Sequence, residues 1–298
     1  MTPARRPTRR EALAALAAGG ALALLPRARA ASDRDSPTPM ATNPAPLPGR
    51  IHHSVCRWCY RDIPLPDLAA AAPGLGLESI ELLDPEEWPV VRRAGLTCAM
   101  ANGTTTIPHG FNRLEHHARF VPSMIERIRA CAAAGLPNVI CFSGNRAGLP
   151  DEQGLENCAV GVRQIVGAAE AARVTVCMEL LNSKVDHPDY QCDHSAWGVE
   201  LVRRVGSERF KLLYDIYHMQ IMEGDVIRTI RDHHDCIAHF HTGGVPGRHE
   251  IDDAQELNYP AIMRAIKATG FTGFVAQEFL PTRAPLESLR AAIRLCSV

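Results

Sequence analysis

Short apolar runs rich in β-branched residues alternate with longer stretches of helical periodicity along most of this chain. Candidate strands fall at residues 51–58, 78–84, 96–103, 138–144, 174–181, 210–216, 237–243 and 273–279. Between them lie amphipathic stretches, the longest at 113–134 and 155–172, with apolar residues at helical spacing. Gly135, Gly206 and Gly270 stand near helix ends, where a left-handed cap is common. Strands alternating with helices pair in parallel, and eight of them close a barrel. The alternative is an open doubly wound sheet, which normally has a Gly-rich phosphate loop after its first strand. Here the first strand runs into Arg57-Trp58-Cys59-Tyr60, with no glycine. The expected fold is α/β, a single (β/α)8 TIM barrel over 51–298.

The N-terminal segment departs from this pattern. Thr8-Arg9-Arg10-Glu11-Ala12-Leu13 has the form of a twin-arginine export motif. The Ala/Leu/Gly stretch behind it is too short for a membrane span, and Ala28-Arg29-Ala30 fits a small-x-small cleavage site. Residues 1–30 therefore read as a twin-arginine signal peptide, and 31–50, with five prolines, as a linker. The expected location is periplasmic or extracytoplasmic, with no membrane anchor. A disordered basic tail is the competing account of the same residues. Ten cysteines in an exported chain would suggest disulfides. However, Cys98, Cys141 and Cys177 lie inside apolar runs, where Cys acts as a small buried hydrophobe. Cys56-x-x-Cys59 lacks the second pair that would make it a zinc signal.

Lys plus Arg (32) nearly balances Asp plus Glu (33), which leaves no basic excess for phosphates and argues against a nucleic-acid partner. The chemistry is instead concentrated at strand ends, where barrels of this type place reactive groups. The fifth run ends in Glu179, the sixth in Asp215, the seventh in His241 and the eighth in Glu278. Glu179 to Asp215 is 36 residues, Asp215 to His241 is 26 and His241 to Glu278 is 37, each about one βα unit. Carboxylates at the end of apolar runs are costly unless paired or metal-bound. Any one of the four is most simply a salt-bridged structural residue, but four on successive strands point to one divalent metal. Three carboxylates and one imidazole favour Mg²⁺ or Mn²⁺ over structural zinc, with Co²⁺ also compatible.

His239 shares a strand face with His241 one layer deeper and reads as a hydrogen-bonded core histidine. His218 lies just past the sixth run, within reach of a bound molecule. Arg248, in a Gly-rich loop, is suited to grip a carboxylate or hydroxyl, with a surface salt bridge as the alternative. The doublets His52-His53, His116-His117 and His233-His234 have no partners at metal spacing and read mostly as solvated or capping residues.

At these positions the chain resembles the hydroxypyruvate isomerase and ketose 3-epimerase branch of the xylose isomerase-like barrels. The resemblance is carried by Met178-Glu-Leu-Leu-Asn-Ser, Tyr214-Asp-Ile-Tyr-His-Met-Gln-Ile-Met-Glu-Gly-Asp225, Pro246-Gly-Arg-His-Glu250, Leu257-Asn-Tyr-Pro and Ala276-Gln-Glu278. It is strong in the C-terminal half and rests on strand order in the N-terminal half. It implies that Glu179 and Glu278 are metal ligands and also the catalytic acid/base pair. It implies that Asp215 and His241 complete the metal shell, and that His218 and Arg248 bind substrate. The implied reaction is isomerisation of a small α-hydroxycarbonyl compound by proton transfer through an enediolate, most like hydroxypyruvate to tartronate semialdehyde. The partner would be a small keto acid or sugar, with a homo-oligomer also compatible.

His241 departs from the pattern. Hydroxypyruvate isomerases often place Gln there and ketose 3-epimerases His, so a ketose or keto-sugar 3-epimerase is the alternative. An apurinic-site endonuclease would need more strand-end His ligands and a basic face. A non-catalytic exported sugar-binding protein would be expected to have lost a ligand.

Overall fold

A computed structural model describes residues 50–298, which fall within one unit, Thr42–Val298. The predicted signal peptide and nearly all of the predicted Pro-rich linker lie outside the described residues. Seven parallel strands are β1 (His52–Cys56), β2 (Ser79–Glu81), β3 (Asn138–Cys141), β4 (Thr175–Glu179), β5 (Phe210–Asp215), β6 (Ile237–Thr242) and β7 (Phe274–Gln277). They run side by side in the order β2-β1-β7-β6-β5-β4-β3. The helices are α1 (Leu65–Leu75), α2 (Trp88–Arg93), α3 (Leu114–Ala134), α4 (Asp151–Ala172), α5 (Ser195–Val205), α6 (Ile216–Met222), α7 (Val226–His233), α8 (Tyr259–Ala268) and α9 (Pro285–Cys296). None is long and apolar enough to cross a membrane.

The predicted strand at 96–103 is the one that does not form a regular ladder. It touches both open edges through isolated parallel bridges, Ser79↔Thr97 and Leu83↔Ala101 on one side and Ala101↔Val139 on the other. The segment thus occupies the eighth position of a (β/α)8 barrel without strand geometry throughout. Side chains compete for its backbone. Ser79 Oγ accepts from Ala99 N at 2.8 Å, and Asn138 Nδ2 donates to Ala99 O at 2.8 Å, taking groups that a ladder would pair. Gly103 ends the segment where a Cβ would lie 1.9 Å from Ile140 O, so only glycine passes there.

Two cores result. The larger lies between strands and helices, and α3 shows how it forms. His117, Phe120, Met124, Ile128 and Cys131 recur at spacings of three and four on its buried face. Burying each large apolar side chain of this kind stabilises the fold by roughly 1.5–3 kcal/mol. The helix stops at Gly135, whose φ of 73° lets its N–H reach Ala132 O and Cys131 O. Gly206 caps α5 the same way, and Gly270 also has a positive φ just past α8.

The smaller core fills the barrel interior with Met100, Ile140, Cys177 and Leu213. All ten cysteines are buried and unpaired. The reading of the His doublets needs correction. His52, His53 and His117 are buried, and His53 Nε2 meets Ser297 Oγ at 3.0 Å while His117 Nε2 meets Phe111 O at 2.8 Å. An imidazole with one good partner is tolerated between sheet and helix.

Candidate active site

Strand alternation aims Glu179, Asp215 and His241 at the interior, one step above Cys177, Leu213 and His239. Glu278 follows immediately after β7. The register pairs Asp215 with His241 and His241 with Ala276, so the four positions sit at the same end of neighbouring strands. One ligand atom from each of Glu179, Asp215, His241 and Glu278 lies within 4.8 Å of the others, and all four residues are buried. The four residues nominated as a metal shell are therefore brought together.

Three of the four side chains are held from behind. Asp215 ends β5 and caps α6. Its Oδ1 accepts from Tyr217 N at 2.8 Å and His218 N at 3.3 Å, which leaves Oδ2 for the site. Glu278 Oε1 accepts from Trp58 Nε1 at 2.6 Å. His241 Nε2 lies 2.9 Å from Glu81 Oε1, and its other nitrogen, Nδ1, faces the carboxylates, 2.7 Å from Glu278 Oε2 and 3.3 Å from Glu179 Oε1. Nδ1 nevertheless has no partner in hydrogen-bonding geometry. A buried imidazole nitrogen and three carboxylates converging on one point form a donor set that suits a hard divalent cation.

Arg248 enters from the loop after β6 with a left-handed backbone (φ 57°), a conformation that costs a non-glycine residue about 1–3 kcal/mol. Its side chain is extensively engaged. Nη2 donates to Asp215 Oδ2 at 2.8 Å and also to Glu278 Oε2, Nε donates to the Glu278 carbonyl at 3.1 Å, and Nη1 lies 2.7 Å from His218 Nε2. The guanidinium lies 5.4 Å from the Trp58 ring centre and 4.8 Å from that of Tyr217. His218 Nδ1 is 2.6 Å from Asn182 Nδ2. His218 and Arg248 are thus beside the four converging residues, and the surface salt bridge considered for Arg248 does not occur.

The loop is anchored by Glu250, which accepts from Thr282 N and Oγ1 at 2.9 Å each and from Ser288 Oγ at 2.8 Å. Burial would raise this carboxyl, but these donors outweigh it and hold it at about 2. Glu250→Ala leaves several of these donors without their partner. It is expected to lower unfolding free energy by about 1–3 kcal/mol, read from urea denaturation midpoints.

Electrostatics separates the two glutamates. Burial, reinforced by the neighbouring Glu278, raises Glu179 above the usual carboxylate range despite His241. Burial would also raise Glu278, but Arg248 and His241 overcome it and hold Glu278 well below that range. Burial, opposed by Arg248, drives Asp215 up to about 8. Burial and Arg248 push His218 well below the usual imidazole value, so it is neutral at pH 7. A cavity of ≈ 300 Å³ opens beside these groups. Glu179, Glu278, His218 and Arg248 line it together with Trp58, His187, Asn102 and an apolar wall that includes Ile107, Phe142 and Leu181.

The structure also adds groups that sequence reasoning did not nominate. Trp58 fixes Glu278, and Asn182 and Tyr217 frame His218 and Arg248. Glu81 on β2 bonds to both His239 and His241. Burial would raise Glu81, but His239 and His241 hold it ionised, at about 2. Its signal was present, since it is the acid inside the apolar run Ser79-Ile-Glu-Leu-Leu. His239 is the fully buried, hydrogen-bonded residue expected of it.

A family model described as xylose isomerase-like TIM barrel matches residues 83–296. A 2-oxo-tetronate isomerase of Cupriavidus necator is 30% identical over 237 residues, covering 74% of this chain and 89% of the relative. A human protein that carries hydroxypyruvate isomerase as a provisional name is 26% identical over 257 residues, 78% of this chain and 90% of the relative. A solved structure titled as a family 2 AP endonuclease from Brucella melitensis superposes with a TM-score of 0.72 at 23% identity. It covers 82% of this chain and 97% of that one, and the likeness concerns the fold alone.

Proposed function

The chain belongs to the xylose isomerase-like TIM barrel family, and we propose that within it the protein is a metal-dependent isomerase of a small α-hydroxycarbonyl compound, most like the conversion of hydroxypyruvate to tartronate semialdehyde. The observation that supports this most is the convergence of Glu179, Asp215, His241 and Glu278 within 4.8 Å beside a cavity that Glu179 and Glu278 also line. Relatives named for two different 2-oxo acids, hydroxypyruvate and 2-oxo-tetronate, agree with that substrate class. Export through the N-terminal twin-arginine segment is part of the reading and rests on the sequence alone.

Glu179, Asp215, His241 and Glu278 would hold the cation, with Mg²⁺ or Mn²⁺ favoured and Co²⁺ compatible. When bound, such an ion supplies Lewis-acid polarisation of a carbonyl and neutralises developing negative charge. One of Glu179 and Glu278 removes a proton from the hydroxyl-bearing carbon, and the freed electron pair gives the enediolate of the substrate. The other glutamate returns a proton to the neighbouring carbon, and the hydroxyl proton passes from its original oxygen to the former carbonyl oxygen, so the carbonyl and hydroxyl change places. For hydroxypyruvate the proton leaves C3 and returns at C2. His218, held neutral, and Arg248, held by Trp58 and Tyr217, contact substrate oxygens at the cavity edge. The apolar wall keeps bulk water from competing for these protons.

His241 favours a second reading, ketose or keto-sugar 3-epimerisation, in which the proton returns to the same carbon on its other face. One experiment covers both. Purified protein with Mn²⁺ is incubated in D₂O with hydroxypyruvate, 2-oxo-tetronate and a panel of ketoses, and NMR follows deuterium at carbon. Exchange at the carbon next to the carbonyl of a 2-oxo acid, with the isomeric product, is expected. Exchange only at C3 of a ketose selects the epimerase, and binding without exchange anywhere in the panel selects a sugar-binding protein.

A further inference from the structure

Beneath the four converging ligands lies a polar group that the proposed reaction does not use. Glu81 comes from β2, across the barrel from β6, and has no solvent exposure. Among the described residues, its ion-pair partners are two imidazoles rather than Lys or Arg. His239 Nε2 lies 2.7 Å and His241 Nε2 2.9 Å from the same oxygen, Oε1. The second oxygen, Oε2, is buried with no partner among the described residues, and so is His239 Nδ1. A buried carboxylate with one unsatisfied oxygen weakens a fold relative to an apolar side chain of similar volume. Cys177, whose thiol feels the Glu81 charge, belongs to the apolar interior cluster of Met100, Ile140, Cys177 and Leu213, so an apolar residue would fit beside it. Stability does not explain why a glutamate stands here.

Its geometry relative to His241 does. That ring has carboxylates on both sides. Glu81 is at Nε2, while Glu278 Oε2 at 2.7 Å and Glu179 Oε1 at 3.3 Å are at Nδ1. A metal-ligating imidazole must present a bare nitrogen to the ion and keep its proton on the other. Without an acceptor behind Nε2, the carboxylates in front would draw the proton to Nδ1, the nitrogen the cation needs.

We propose that Glu81 is a positioning residue for the metal centre. By accepting the Nε2 proton of His241 it directs the Nδ1 lone pair into the Glu179–Asp215–Glu278 cluster, and His239 steadies the carboxylate from the layer below. The inference rests on the metal-centre reading given above and concerns a residue outside that ligand set.

The test compares wild-type protein with Glu81→Gln and Glu81→Leu. Gln keeps an acceptor oxygen near Nε2 and loses the charge, whereas Leu loses both. Mn²⁺ affinity, measured by titration calorimetry or by the EPR signal of free Mn²⁺, is expected to fall in order, with Gln weaker than wild type and Leu about 10–100-fold weaker. In Cd²⁺-loaded, ¹⁵N-His-labelled protein, the wild-type His241 spectrum should show a protonated Nε2 and a metal-bound Nδ1. The Nε2 proton should exchange with solvent faster in the Gln variant. Unchanged Mn²⁺ affinity and an unchanged His241 spectrum in Glu81→Gln overturn the proposal, even if the melting temperature falls, and that variant carries the test should the Leu variant not fold. A wild-type protein that takes up no divalent ion would instead overturn the metal-centre reading itself.

Discussion

Glu179→Gln and Glu278→Gln are each expected to lower turnover by at least about 10²-fold, within the 10²–10⁴ range of general acid–base groups. Gln preserves shape and one acceptor oxygen but can neither take up nor return a proton at neutral pH. Because both residues are also proposed ligands, turnover must be measured at saturating Mn²⁺ with bound metal counted in the same sample. Otherwise weak metal binding would pass for a chemical defect. Near-normal kcat in either variant with metal bound would remove that residue from the proton relay.

The two variants should differ in stability. Glu278 accepts from Trp58 at 2.6 Å and from the buried Arg248, so its loss leaves the guanidinium with Asp215 as its remaining carboxylate partner. Glu179 has no such cation bonded to it, only the approach of His241 at 3.3 Å. Glu278→Gln is therefore expected to lower the melting temperature more than Glu179→Gln.

Sequence reasoning reached the four converging residues because a carboxylate or imidazole closing an apolar run is rare, and because the spacing of one βα unit repeats. Nothing beyond strand periodicity and position was needed to align Glu179, Asp215, His241 and Glu278. That rule does not pick out Glu81, which stands inside its apolar run rather than at the end, and the repeat that singled out the other four covers only the last four units. Its partners, His239 and His241, lie more than 150 residues away, at separations of 158 and 160. Periodicity along a chain carries no information about which deep-layer residues face one another across a barrel.

The segment at 96–103 failed as a regular strand for a related reason. Its apolar pattern is adequate, and the competitors for its backbone are the side chains of Ser79 and Asn138 on neighbouring strands. The burial of His52, His53 and His117 was likewise invisible, since a doublet reveals neither the surface above it nor an acceptor such as Ser297 at the far end of the chain.

Stripping the protein with EDTA is expected to abolish activity, and added Mn²⁺ or Mg²⁺ to restore it. Stability should move with it. A ligand at 100 times its dissociation constant stabilises the native state by about 2.7 kcal/mol, which for a barrel of this length is about 5–10 °C in melting temperature. Arg248 offsets part of the repulsion at Asp215 and Glu278 in the metal-free state, so the apoprotein should remain folded. The pH dependence of binding follows from the same groups. Burial drives Asp215 up to about 8 and raises Glu179, so at neutral pH the metal-free site retains protons that the ion must displace. The acidic groups around His241, Cys56 and Glu278 foremost, also outweigh its burial and hold that imidazole well above its ordinary value. Affinity for Mn²⁺ is therefore expected to rise with pH between 6 and 8, by as much as about tenfold per unit for each proton released. Calorimetry in two buffers of different ionisation enthalpy counts those protons directly. Binding that is independent of pH between 6 and 8 would mean that the carboxylates are already ionised in the apoprotein and that Arg248 alone neutralises them.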